Sequence, residues 1–265
     1  MERNFKIKIG AVAVLLTAII ICLILLKTGK PKSPDNPLPV PSAEPSAAPE
    51  TAQPEPTAVI VTPEPTATPV PTPAVTADID SEDSITKYVS RDNLISETYV
   101  PSDLTAVNVH SAETKKLRKE AAEQLEAMFK AAINDRIYLK LVDGYRSYSY
   151  QRDLYNYYIN NRGKEYADSI DAYPGASEHQ LGLAADIGCW NGSCELSYCF
   201  TDYLDYDWLI DHSWEYGWIE RYPKGMKSIT GVEYSPWHFR YIGVEEAQKY
   251  HESGASTLEE YFGIK

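Results

Sequence analysis

Basic residues are scarce in this chain. Its 265 residues carry 25 Lys and Arg against 38 Asp and Glu, a net charge of −13. The imbalance lies wholly beyond residue 77, where 19 basic residues face 32 acidic ones. A domain so acidic repels polyanions at long range, which excludes a nucleic-acid partner. Cysteine is also sparse, with four in all. Cys22 sits in an apolar run, and Cys189, Cys194 and Cys199 share one loop. Their even spacing lacks the close pairs of a zinc ribbon. One oxidised pair with a thiol left over, or three unpaired thiols, both fit the sequence. Proline is rare in the second part of the chain, because fourteen of the 18 prolines fall between Pro31 and Pro73.

That proline-rich stretch, with Ala, Thr, Ser, Val and Glu between the prolines, cannot bury a core and is expected to be an extended linker. Ahead of it, Ile9 to Leu26 is an uncharged run of 18 residues, close to the length that crosses a bilayer. Arg3, Lys6 and Lys8 precede it, and Lys27, Lys30 and Lys32 follow. A cleaved signal peptide is the rival reading, but the run ends in Leu-Leu-Lys-Thr-Gly-Lys without a small-x-small cleavage site. The expected organisation is a cytoplasmic N-terminus and anchor over residues 1–30, a linker over 31–79 and a folded domain over 80–265. The chain would then sit in the cell membrane as a single-pass protein, with the C-terminal domain outside.

Within the folded part, apolar spacing predicts a helix from Glu113 to Ile133, with Leu117, Ala121, Leu125, Met128, Phe129 and Ala132 on one face. Alternation predicts a strand over 137–142. Ser147 is placed to cap a Tyr-rich helix over 148–160. Short strands are expected at 183–188, 218–222 and 237–242. Helices are expected at 204–215 and at 244–253, the latter stopped by Gly254. Helices mixed with short strands, without βαβ alternation, predict an α+β fold with a small antiparallel sheet flanked by helices.

Two distant fragments carry the chemistry. One is Ser177-x-His179-x-x-Gly182-x-Ala184-x-Asp186; the other is Ser235-Pro236-Trp237-His238-x-Arg240-Tyr241. Two imidazoles and a carboxylate, His179, Asp186 and His238, make a sufficient ligand set for a catalytic zinc ion, Zn2+. His110, His212 and His251 match no pattern. With Gly144-Tyr145-Arg146-Ser147 ahead of them, these motifs resemble the VanY-type D-alanyl-D-alanine carboxypeptidases, zinc enzymes of the LAS group. The resemblance spans about residues 85–250 and implies a zinc in a groove, with His179, Asp186 and His238 as its ligands. It implies a peptidoglycan stem peptide as substrate, with Arg146 clamping the terminal carboxylate through a planar fork. Ser177 and Gln151 would bond the peptide, and Trp237 would pack beside the metal or in the core. VanY-type enzymes usually read Glu-Pro-Trp-His, with the Glu as general base; here Ser235 stands in its place. Glu233, two positions earlier, is the candidate substitute. The departure leaves three expectations: a zinc carboxypeptidase, a catalytically weak or inactive zinc-containing wall-binding module, or an endopeptidase or amidase on the same polymer.

Overall fold

The computed structural model describes residues 77–170 and 173–265. The apolar run 9–26 and the proline-rich stretch 31–73 lie outside them. No helix among the described residues is long and apolar enough to cross a membrane.

Strands β1 (Leu104–Ala106) and β2 (Lys116–Arg118) form a two-stranded antiparallel ribbon. Helix α1 (Lys119–Asn134) follows without a break. The expected helix start at Glu113 was therefore too early. Lys116-Leu117-Arg118 continues the helical apolar pattern, yet Leu117 pairs with Thr105, and the Arg118 N–H reaches Gly182 O at 2.9 Å. Cross-strand bonding outweighs local propensity there. Leu117, Ala121, Leu125, Met128 and Ala132 are fully buried, so the predicted face is the one that packs.

Strand β3 (Leu139–Asp143) leads through Gly144 to α2 (Tyr148–Arg162). Ser147 caps α2 as expected, its Oγ accepting the Tyr150 N–H at 3.2 Å. Then come α3 (Lys164–Ser169), β4 (Ala184–Cys189), α4 (Leu204–His212), β5 (Trp218–Glu220), α5 (Lys227–Thr230), β6 (His238–Tyr241), α6 (Val244–Ser253) and α7 (Leu258–Tyr261). Gly254 ends α6 with φ +70°, a left-handed cap. The main sheet has the order β3-β4-β6-β5, antiparallel throughout. The fold is α+β with small antiparallel sheets and helices around them. Strand β4 is buried along its whole length. The core gathers α1, β3, β4 and β6 through Leu125, Met128, Leu141, Ile187, Phe239 and Tyr241. Cys194 and Cys199 form the disulfide and Cys189 is the buried thiol left over, which resolves what spacing left open.

One half-buried carboxyl makes stability depend on pH. Glu220 on β5 accepts the Tyr206 O–H at 2.9 Å, and Tyr206 in turn meets the Tyr234 hydroxyl at 3.2 Å. Burial pushes Glu220 up to about 7, with the Tyr206 hydrogen bond opposing it. A carboxyl raised in the folded state holds its proton where the unfolded chain has lost it. Stability therefore falls as pH rises from the ordinary carboxylate range to about 7, then levels off. The loss is at most roughly 3 kcal/mol at 1.36 kcal/mol per pKa unit. Glu220→Gln is expected to melt at a higher temperature than the wild type at pH 8 and to lose that advantage near pH 5. An equal difference at both pH values would contradict this reading.

Candidate metal centre

Strand register makes the first half of the site. Asp186 on β4 lies directly opposite His238 on β6, and directly opposed residues of an antiparallel pair share a face. His179 is delivered by the short 3-10 turn Glu178–Leu181, which Gly182 ends at φ +64°. A Cβ on Gly182 would meet Leu104 Cδ2 at 2.9 Å and Arg118 N at 3.2 Å, so glycine is required both for the turn and for the close approach. The reversal brings His179 back over β4. The Arg146 N–H bonds His179 O at 3.1 Å, which ties this turn to the Gly144–Ser147 turn.

Three side chains converge there. One ligand atom each from His179, Asp186 and His238 lies within 4.8 Å of the others, and all three residues are buried. Asp186 Oδ1 stands 3.4 Å from His179 Nε2 and 3.2 Å from His238 Nδ1.

The far sides of both rings fix their tautomers. His179 Nδ1 is 2.7 Å from Gly144 O, which only accepts, so Nδ1 carries hydrogen and the Nε2 lone pair faces Asp186. His238 Nε2 is 3.2 Å from Glu178 Oε2, so that nitrogen donates and Nδ1 turns its lone pair inward. An outer acceptor on each histidine is the usual support of a metal-ligating imidazole.

Two nitrogen lone pairs then point at Asp186 Oδ1, a buried oxygen with no hydrogen-bond partner among the described residues. Three acceptors around one point are tolerated only with a positive charge among them. A proton is one such charge. Burial works against charged His238, but the Asp186 and Glu178 carboxylates outweigh it and push the ring up to about 9. A divalent cation is the other, and two imidazoles with a carboxylate suit zinc. The residues present therefore fit the metal.

Arg146 stands beside the cluster. Its Nη2 donates to Asp186 Oδ2 at 2.9 Å, its Nε to Asp143 Oδ2 at 2.8 Å, and Nη1 approaches Gln151 Oε1 at 3.5 Å. Ser177 and Gln151 are both fully buried. Gln151 lies in the first turn of α2, and Ser177 immediately precedes the His179 turn.

Trp237, Ser235 and Glu233 make other contacts as well. Trp237 packs against the main core and meets the Tyr198 ring at 6.1 Å between centroids. The ring against His238 is Tyr222, 4.9 Å away. Trp237 lies in the turn ahead of β6, and His238 is the first residue of the strand. Ser235 occupies the turn into β6, where its O accepts the His238 N–H at 3.0 Å and its hydroxyl donates to Glu233 O at 3.1 Å. The Glu233 carboxylate is 40% exposed and paired with Lys227.

Sequence reasoning missed Glu178, Arg221 and Glu259, and it did not use Arg240 beyond its place in the motif. The signal was present, since Arg240 falls inside a predicted strand of a packed sheet and a buried cation demands partners. Burial alone would raise the Glu178 carboxyl, but Arg221 and Arg240 outweigh it and hold it ionised far below the carboxylate range.

The VanY family model, described as D-alanyl-D-alanine carboxypeptidase, matches residues 114–244. The putative carboxypeptidase YodJ of Bacillus subtilis (strain 168) is 39% identical over 189 residues, covering 69% of each chain. The LdcB LD-carboxypeptidase structure is 38% identical with a TM-score of 0.65, covering 69% of this chain and 87% of its own. A mutant of the vancomycin-resistance D,D-pentapeptidase VanY, from a VanB-type resistance cassette and in complex with Zn(II), is 31% identical. Its TM-score is 0.55, over 68% of this chain and 98% of its own. With that similarity spanning two thirds of its length and the three motifs folded into one cluster, the chain belongs to the VanY family of D-alanyl-D-alanine carboxypeptidases.

Proposed function

We propose that this chain is a zinc-dependent carboxypeptidase that removes the C-terminal D-alanine from peptidoglycan stem peptides. The observation that carries the proposal is Asp186 Oδ1, buried without a hydrogen-bond partner among the described residues and faced by inward lone pairs of His179 and His238. Bound zinc supplies Lewis-acid polarisation of the scissile carbonyl. His179, Asp186 and His238 hold it; Gly144 O and Glu178 keep the two rings in the ligating tautomer.

The polarity of the site supports cleavage at a chain end. Arg146 sets a guanidinium 2.9 Å from Asp186 Oδ2, beside the three ligands, where it would fix the free carboxylate of the terminal D-alanine. Gln151, whose Oε1 faces Arg146 Nη1 at 3.5 Å, supports the clamp from behind. An endopeptidase or amidase has no use for such a clamp.

Proton transfer is the step this chain handles differently. A serine hydroxyl does not take a proton at neutral pH, and Ser235 Oγ donates to Glu233 O. Glu178 touches His238, but its oxygens are taken by Arg221, Arg240 and His238, which leaves it a weak base. Glu233 is engaged by Lys227 at the surface. Ser235 thus favours a second reading, in which the domain hydrolyses slowly or binds the wall peptide without cutting it.

Metal content tests the proposal at its base. The full-length chain is expected to hold one zinc, and His238→Ala is expected to lose stoichiometric zinc in elemental analysis. Undiminished zinc in that variant would remove His238 from the ligand set. The uncharged run 9–26 and the proline-rich stretch support a domain tethered outside the membrane. Protease added to intact spheroplasts should then release it and leave an N-terminal fragment behind. A mature chain starting near residue 30 would contradict the tether.

A further inference from the structure

Four charged side chains are sealed inside this domain next to the metal centre. Glu178, Arg240 and Glu259 are fully buried and Arg221 is 2% exposed. Arg221 Nε donates to Glu178 Oε1 at 2.8 Å, while its Nη1 and Nη2 grip Glu259 Oε2 and Oε1 at 3.0 and 2.8 Å. Arg240 Nη1 donates to Glu178 Oε1 at 2.9 Å. Its Nη2 donates to Ile85 O and Lys87 O at 3.0 and 2.8 Å. Tyr88 closes the far end, its hydroxyl donating to Glu259 Oε1 at 3.1 Å.

Two cations and two anions cancel. Removing four ions from water still carries several kcal/mol of penalty each, and apolar residues of similar volume would often serve a core as well or better. The arrangement does have a directed end. Glu178, held on one oxygen by both arginines, offers the other to His238 Nε2. Ile85, Lys87, Tyr88 and Glu259 all lie outside the family match at 114–244, so these supports are supplied by the flanks of this chain.

We propose that Glu259, from the short C-terminal helix α7, is a positioning residue for the metal centre. It holds Arg221, Arg221 holds Glu178, and Glu178 sets the tautomer and ring plane of His238. The inference rests on reading His179, Asp186 and His238 as metal ligands.

The test is zinc affinity of the full-length chain, measured by competition with a chromophoric chelator. Glu178→Gln is expected to weaken zinc binding about 10–100-fold, the usual cost of losing an outer partner of a ligand. Glu259→Gln is expected to weaken it about tenfold. Glu260→Gln removes the same charge from the same helix, from an exposed residue without a bond to Arg221, and should leave affinity unchanged. If Glu259 acts through Glu178, the double variant should bind zinc no more weakly than Glu178→Gln alone, because effects within one network do not add. Fully additive losses would overturn the relay, as would wild-type affinity in Glu259→Gln. Circular dichroism in excess chelator checks that each variant folds without metal. Should Glu259→Gln fail that check, Tyr88→Phe removes one bond to Glu259 without burying a charge. A smaller loss in that variant supports the relay, and an unchanged affinity overturns it. A wild type that binds no zinc would overturn the metal reading and this proposal together; unchanged variants of a zinc-binding wild type overturn this proposal alone.

Discussion

Ser235→Glu is expected to raise hydrolysis of a peptide ending in D-Ala-D-Ala by about 10²–10⁴-fold, the range a general base supplies. Ser235 sits three residues before His238 in the turn that enters β6, and its backbone is fixed at both ends by the bonds to Tyr222 O and from His238 N. Among the described residues its hydroxyl bonds back to Glu233 O, so its removal costs the metal cluster no contact. The position is half-buried, so a longer side chain is not shut into the core. Zinc content should not change, which separates a gained base from a gained ligand. Glu233→Gln is the companion experiment. A collapse of activity there would identify Glu233 as the working base, reached by giving up Lys227. If the wild type is fast and neither change alters its rate, the base lies elsewhere.

The next largest effect concerns the substrate's end. A stem peptide with an amidated C-terminus is expected to bind or react more weakly than the free acid by about 2–5 kcal/mol, the usual cost of breaking a desolvated charge pair. At 1.4 kcal/mol per factor of ten that is about 30-fold to a few thousand-fold. The geometry behind it is Arg146, aligned by Asp143 on Nε and by Asp186 on Nη2. Those bonds hold the fork rigid, so little freedom is lost when it takes a carboxylate. Arg146→Lys keeps the charge but not the planar fork and should lose most of the preference. Equal handling of acid and amide by the wild type would contradict the clamp and with it carboxypeptidase specificity.

The features that local sequence dictates were legible. Spacing and residue type brought His179, Asp186 and His238 into one set, and the fold joins them through one strand register and one glycine turn. The Ser147 cap and the Gly254 stop are local physics and stand where the sequence puts them. Long-range pairing stayed hidden. Leu117 reads as helix because its apolar period continues into α1, and only the hairpin with β1 turns it into strand. Trp237 adjoins His238 in sequence and packs on the main core, while the Tyr222 ring, from fifteen residues before Trp237, lies 4.9 Å from the His238 ring. The Glu178 network joins residues 85–88 to residue 259, a separation no motif spans. Its trace was a single charge, such as Arg240, inside a segment that had to be buried.

The proposed carboxypeptidase activity is directly measurable. Synthetic stem pentapeptide and tetrapeptide incubated with the zinc-loaded full-length chain should each be followed by mass spectrometry, with and without chelator. The predicted result is loss of a single C-terminal alanine residue from at least one of them, slow at Ser235, abolished by chelator and restored by zinc. Cleavage at an internal bond, or intact peptides after prolonged incubation with a zinc-replete chain that binds them, would contradict a carboxypeptidase.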